Sequence, residues 1–286
     1  MRFLYAVLTY LLTPFLLVHL LWRSFSNPGY RQRIGERFGY YREPPTGGAI
    51  WLHAVSVGEV QAAAALVRAL QQTWPSRRLL VTTMTPTGSD RVRDLFGDSV
   101  EHCYVPYDLP GCVRRFFDMA GPDLAIVMET ELWPALYREA EQRGVPLILA
   151  NARISPRSLG RYLKIGELIR STLAPCHVAA QSHADADRFL ALGADPARTT
   201  VTGNIKFDVE MPPETEAAGR ALRLEHAPGR PVWIAASTHP DEEQTMLVVH
   251  RRVMAVYPNA LLVIVPRHPD RCGTLMRELE RAGIPA

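Results

Sequence analysis

Lysine is nearly missing from this chain. Of its 32 basic residues, only Lys164 and Lys206 are lysine; the rest are arginine. A GC-rich genome produces such a bias, and it leaves two internal candidates for any site that needs an ammonium group. Cysteine is scarce too. Cys103, Cys112, Cys176 and Cys272 are scattered and form no C-x-x-C pair. That argues against a disulfide framework or a zinc ribbon, and for a reducing compartment. An excess of one charge is also lacking: 32 basic against 29 acidic residues give +3, too little to point to nucleic acid. There is no internal repeat, no low-complexity tract and no G-x-G-x-x-G turn, so a dinucleotide fingerprint is unsupported. Apolar residues at 47% and charged residues at 21% are ordinary for a globular chain and exclude a disordered, collagenous or many-span membrane protein. A length of 286 residues suggests about two domains.

One long apolar run is present. Residues 3–22, FLYAVLTYLLTPFLLVHLLW, carry no formal charge, and about 20 such residues match a bilayer's hydrocarbon core. Pro14 interrupts the run, and Thr9 and His19 dilute it. Trp22 and Arg23 have the character of an interfacial anchor. Arg31, Arg33 and Arg37 come after them against a single acid, Glu36, which favours a cytoplasmic location for the rest of the chain. A cleaved signal peptide would want a shorter core and a small-residue cleavage site. A buried core helix is a second alternative. The favoured reading is a membrane anchor over residues 1–27, spanning or lying in the membrane.

Beyond it, short apolar strands alternate with helical patterns. Strands are expected at Ala49–Val55, Leu79–Thr83, His102–Val105, Leu124–Met128, Pro146–Ala150 and Val178–Gln181, with another ending near Thr202. Helices are expected at Val60–Trp74, Leu132–Arg143 and Leu163–Leu173. This βαβ alternation predicts an α/β fold, a parallel sheet with helices on both faces. Strands buried on both faces read as continuous apolar runs, as these do. The Pro-, Glu- and Ala-rich stretch Phe207–Arg230 is expected to be a linker plus a helix. A second series comes after it: strand Val232–Ala236, helix Glu242–Tyr257, strand Ala260–Val265, helix Arg271–Ala282.

Ligands of open α/β sheets bind beyond the carboxyl ends of the strands. Five segments there carry polar residues. In His53-Ala-Val-Ser-Val-Gly58-Glu59, Ser56 and Gly58 make a tight turn and Glu59 opens a helix. Glu59 either favours the helix dipole or acts as a general base. In Met128-Glu129-Thr130-Glu131, the two acids share a side if the strand continues; alternatively they cap the next helix. In Gly203-Asn204-Ile205-Lys206, the ammonium suits a phosphate or carboxylate, or is simply solvated. In Ala236-Ser237-Thr238-His239, Ser237 or Thr238 is expected to cap a helix whose free N–H groups would bind an anion. In Val265-Pro266-Arg267-His268, Arg267 suits an anionic ligand.

HAVSVGE, TTMTPTG, VPYDLP, METELWP, NARIS, GNIKFD, ASTHPDEE and VPRHP succeed one another in this order. With the N-terminal apolar segment, this series resembles the 3-deoxy-D-manno-octulosonic acid (Kdo) transferases of lipopolysaccharide assembly, from the first residue to the last. The resemblance implies a GT-B glycosyltransferase with two Rossmann-like domains. The acceptor domain would span residues 28–210 and the nucleotide-sugar domain residues 211–286. It implies transfer of Kdo from CMP-Kdo to the lipid A precursor (lipid IVA) at the cytoplasmic side of the inner membrane. CMP-Kdo, the lipid A precursor and membrane lipid are the implied partners, with no metal and no nucleic acid. Glu59 is implied as general base, with Glu129 and Lys206 as transition-state stabilisers and Glu131 the weaker of the two acids. Pro266 and Arg267 are implied in the nucleotide site. Ser237, His239, Ser56 and Gly58 join them as candidate substrate- or nucleotide-binding residues. Arg31–Arg37 is expected to face lipid phosphates. The family's further glycine-containing loop and Asn/Glu-containing motif are not located in this sequence, so the second domain is expected to be partial. Two other readings stand beside this one: a non-catalytic, membrane-tethered protein that binds the lipid precursor, and a GT-B transferase using a different nucleotide sugar.

Overall fold

The computed structural model describes residues 2–41, 48–208 and 213–284. The chain forms two compact units, Met1–Val209 and Glu210–Ala286. Residues 209–212, inside the expected linker and at the expected domain boundary, lie outside the described residues.

In the first unit the apolar runs become β1 (Ala49–His53), β2 (Arg78–Thr83), β3 (Glu101–Tyr104), β4 (Pro122–Met128), β5 (Leu147–Ala152), β6 (His177–Ala180) and β7 (Thr199–Val201). Among the described residues they form one seven-stranded sheet in the order β3-β2-β1-β4-β5-β6-β7. Every pairing is parallel. Its helices are α1 (Arg2–Ser26), α2 (Val57–Thr73), α3 (Pro86–Phe96), α4 (Pro110–Ala120), α5 (Pro134–Gln142), α6 (Pro156–Leu163), α7 (Gly166–Leu173) and α8 (His183–Ala191).

Strand side chains alternate between faces, and here each face meets its own core. Ala49 and Trp51 of β1 pack with Phe116, Phe117, Val127 and Leu149 on one side. Ile50 and Leu52 pack with Val67, Val81, Ile126 and Met128 on the other. That is why the strands show no polar alternation. The chain runs outward from β1 to β3, then returns to place β4 on the other flank of β1. This reversal is the point where connections leave to opposite faces and a crevice opens.

Helix starts reflect local chemistry. The hydroxyls of Ser56, Thr85, Ser155 and Ser182 each accept a backbone N–H at the start of α2, α3, α6 and α8, the usual role of such residues. α5 has no side-chain cap of its own. Instead Asp108, from the loop after β3, accepts the N–H groups of Ala135 at 3.0 Å and Leu136 at 2.9 Å. The helix expected over Leu163–Leu173 is present as α7 from Gly166, and a separate helix, α6, precedes it and ends at Leu163. Ser155-Pro156 starts α6, Ile165 leaves helical geometry, and Gly166, a poor interior residue, begins α7.

The second unit contains α9 (Pro213–His226), β8 (Val232–Thr238), α10 (Pro240–Val256), β9 (Leu261–Pro266) and α11 (Cys272–Arg281). β8 and β9 pair in parallel. Arg271 joins α10 to α11, donating to fully buried Glu243 at 2.8 Å and to Glu278 at 2.7 Å.

Trp51 and Phe116 are fully buried and meet edge to face at 4.8 Å. Truncating Phe116 to alanine is expected to cost about 3–5 kcal/mol of stability, read as a lower denaturant midpoint.

Candidate functional site

The loops that leave the carboxyl ends of β1 and β4 line the crevice between these strands. After β1 the chain turns at Ser56 into α2, and Glu59 folds back over the turn. The Val55 N–H donates to Glu59 Oε2 at 2.7 Å and the Ser56 hydroxyl to Oε1 at 3.1 Å. Glu59 thus stands in the first turn of α2, tied to the residues just before it. The same carboxyl is half-buried, and its pKa is pushed up to about 7. Burial is the main cause, opposed by the Val55 N–H; the nearby charges of Glu131 and Glu129 add to the rise, and the Ser56 hydroxyl opposes it. A carboxyl in the first turn of a helix is thus also poised to exchange a proton near neutral pH.

β4 ends at Met128, the expected end of the strand, so the condition under which the two acids would share a side is not met. Glu129 turns into the left-handed region with φ of 56°. Such a conformation costs a non-glycine residue about 1–2 kcal/mol. It is held by the Glu129 N–H donating to the Ala150 carbonyl at 2.9 Å. The two carboxylates then part company. Glu129 lies 3.5 Å from the Arg153 guanidinium, and Glu131 accepts the Trp133 indole N–H at 2.9 Å. Burial pushes the Glu131 pKa up. Neither acid caps α5, since Asp108 does. Beside them is an open cleft of about 530 Å³, whose walls include Glu129, Glu131, Arg153, Tyr162, Gln181 and Arg188. The loops after β4, β5 and β6 build it.

Two residues to which the sequence alone gave no role organise this edge. Asn151, in the NARIS segment, is buried and left-handed, with φ of 54°. Its Oδ1 accepts the Ile205 N–H at 3.2 Å, and its carbonyl accepts the Gln181 side chain at 3.0 Å. Asn151 thus ties the GNIKFD loop to the sheet. His53 ends β1 with no exposed surface; its Nδ1 lies 2.9 Å from the Thr82 hydroxyl and its ring stands edge-on to Trp133. Burial lowers its pKa to about 4, so the imidazole is neutral at pH 7. The hint in each case was a polar residue inside an apolar run.

Lys206 sits on a short turn, Ile205–Phe207, packed against α2. The Asn204 side chain accepts the Lys206 N–H at 3.0 Å. The Lys206 side chain is exposed. The structure therefore brings the loop to α2 but does not pair Lys206 with Glu59 or Glu129. The arginine stretch is largely committed inward. Arg37 is buried against Tyr104 and Tyr30, and Arg33 donates to Ser89 at 2.9 Å. Only Arg31 of the three is exposed, with its Nε donating to Ser24.

In the second unit, β8 and β9 end side by side, with Thr238 opposite Pro266. The Arg267 N–H donates to the Thr238 carbonyl at 2.9 Å, so Ser237, His239, Pro266 and Arg267 share one edge. Ser237 is left-handed, with φ of 59°. The expected cap at Ser237 or Thr238 falls one or two residues later. His239 is the N-cap of α10, and the Glu242 carboxylate accepts the His239 N–H at 2.8 Å. Arg267 is exposed. Among the described residues, no group of three or more His, Cys, Asp or Glu is placed to hold a metal ion.

The fold is of the GT-B type. A UDP-GlcNAc 2-epimerase from Neisseria meningitidis, solved with UDP-GlcNAc, superposes with a TM-score of 0.53 at 13% identity, covering 83% of this chain and 70% of that one. At that identity the likeness is one of fold. Residues 32–209 match the family described as 3-deoxy-D-manno-octulosonic-acid transferase (kdotransferase). A Haemophilus influenzae 3-deoxy-D-manno-octulosonic acid transferase is 45% identical over 274 residues, covering 94% of this chain and 64% of its own length. A Bordetella pertussis protein of the same name is 36% identical, covering 92% and 64%. The chain belongs to the Kdo transferase family and spans about 64% of the length of these relatives.

Asn151→Ala removes the acceptor for the Ile205 amide while leaving a side chain in left-handed geometry. Hydrogen exchange at that amide is expected to quicken, with a stability loss of about 1–3 kcal/mol.

Proposed function

We propose that this chain carries out Kdo transfer from CMP-Kdo to a hydroxyl of the lipid A precursor, lipid IVA, with Glu59 as the general base. The observation that carries the reading is the half-buried Glu59 carboxyl at the β1–β4 crevice, with its pKa pushed up to about 7. A sugar hydroxyl is a poor nucleophile and must lose its proton as it attacks the anomeric carbon. A carboxylate with a pKa near ambient pH is suited to accept it. The new bond forms from the acceptor oxygen to the anomeric carbon as the bond to CMP breaks. The proton passes to Glu59 and the electron pair leaves on the phosphate. Lys206 and Arg267 are cations suited to that growing charge, and Glu129 is assigned to transition-state stabilisation through the family resemblance. Ser237, His239 and Pro266 are assigned to the donor side, and Ser56 and Gly58 to the turn that aims Glu59. No metal is required in this scheme, because the leaving group's charge is met by side-chain cations and helix N-termini. Attachment to the cytoplasmic face of the inner membrane through α1 fits a lipid acceptor.

In a CMP-Kdo transfer assay, Glu59→Gln is expected to lower turnover by about 10²–10⁴-fold. Normal turnover would remove Glu59 from the role of base. Competition by UDP as strong as by CMP would point instead to another nucleotide sugar.

Stability carries a second signature. The Glu59 pKa is higher in the folded chain than the ordinary 4.5, so the folded state holds the proton more tightly. The Glu59 contribution to stability is fully present below 4.5 and is lost as pH rises through about 7. Glu59→Gln is therefore expected to melt above the parent at pH 8 and level with it at pH 4. A melting advantage unchanged between those two pH values would contradict a desolvated carboxylate.

A further inference from the structure

The apolar helix α1 presents two faces with opposite environments. Leu4, Leu8, Leu11, Phe15, Val18, Trp22 and Phe25 recur at alternating spacings of four and three, and all are exposed, Phe15 by 71% and Phe25 by 79%. Such spacing lines one side of a helix. Positions on the other side touch the protein. The Tyr5 hydroxyl donates to Asp108 at 2.7 Å, and the Tyr10 hydroxyl accepts the Gly111 N–H at 3.1 Å. Leu20 is 5% and Ser24 2% exposed, and Arg31 donates to the Ser24 hydroxyl at 2.9 Å.

These contacts bear on how the helix meets a membrane. Tyr5 and Leu20 stand roughly 22 Å apart along the axis, most of the depth of a hydrocarbon core of about 30 Å. If α1 crossed the bilayer, Tyr5 would lie near the far side, out of reach of Asp108 and Gly111. The amino-terminal half of the helix rests on the loop after β3 and the start of α4, and its carboxyl end on the segment that follows it.

We infer that α1 lies in the plane of a bilayer interface, clamped along the first unit, with its Leu4–Phe25 stripe sunk among the lipids. The inference rests on the membrane attachment proposed for this chain and specifies its geometry. The clamp takes the part that a charged face plays in an ordinary interfacial helix. Charge agrees with an anionic lipid surface. A cavity of about 200 Å³ beside Tyr5 is lined by Arg114 and Arg138. Both are exposed, while nearby Glu139 is paired with Arg143 at 2.8 Å. Arg23 is exposed at the other end, stacked over Tyr30 at 4.7 Å. A second copy of the chain is a poorer occupant for the stripe. Residues 3–22 hold no charge, so the flanking ion pairs that specify a coiled coil are missing.

The test is a depth measurement on the whole chain bound to phosphatidylcholine–phosphatidylglycerol vesicles. Cys103, Cys112 and Cys176 are buried, so a Cys272→Ser background accepts single cysteines at Leu4, Leu11, Val18 and Phe25. Each carries an environment-sensitive fluorophore, quenched in turn by lipids spin-labelled at different depths. All four labels are expected at the same shallow depth. A steady deepening from Phe25 towards Leu4 would mean a crossing helix and overturn the inference while leaving membrane attachment intact. Failure to bind the vesicles would sink attachment and the inference with it. Four labels already shielded without vesicles, in a dimeric chain, would assign the stripe to a second copy and overturn it too. Arg114→Gln and Arg138→Gln are each expected to weaken binding to anionic vesicles about fivefold; unchanged affinity would remove the two arginines from the surface.

Discussion

A parallel sheet covered on both faces leaves polar chemistry little room except at the ends of its strands, and the site depends on that constraint. Trp51 and Ile50 are neighbours in sequence yet belong to opposite cores. Their burial forces the next polar residues, His53 through Glu59, to the carboxyl edge. The reversal of strand order between β3 and β4 then brings Glu129 and Glu131 to the same crevice. Close packing of apolar side chains is thus what brings Glu59 near Glu129 and Glu131, a pair that lies far along the chain from it.

Gathering them has an electrostatic consequence. Partial burial and the charges of Glu131 and Glu129 make an ionised Glu59 unfavourable, while the Val55 N–H and the Ser56 hydroxyl hold it in place. Glu129 and Asn151 add backbone strain at the ends of β4 and β5, and Ser237 does so at β8 in the second unit. Strain of this kind persists where the surrounding structure over-determines it, and it concentrates at functional positions. The same local features that lower stability at neutral pH set up a group able to take a proton there.

Much of the architecture was legible in the chain, for a simple reason. Runs such as AIWL and LAIVM are apolar at every position, which suits strands buried on both sides. The acids beyond them were conspicuous because packing would not choose them. What could not be read was long-range. Asp108 sits in a loop after β3 but caps α5, and Asn151 holds an amide in a loop some fifty positions later. Nothing local announces either partner. Whether the strand ran on past Met128 was open in the sequence; it does not, because Glu129 turns left-handed, held by the neighbouring strand's carbonyl at Ala150. The apolar segment was plain as composition. Its docked face was not, since Tyr5 and Ser24 matter only once Asp108 and Arg31 are placed beside them.

The central claim is that the fold itself, through burial and two neighbouring acids, tunes Glu59 as a base. It is tested most directly by a carboxyl-carbon NMR titration of selectively labelled Glu59, alone and with Glu131→Gln. A midpoint near 7 that drops when the Glu131 charge is removed is the expected result. A midpoint near the ordinary 4.5, unmoved by that substitution, would contradict it.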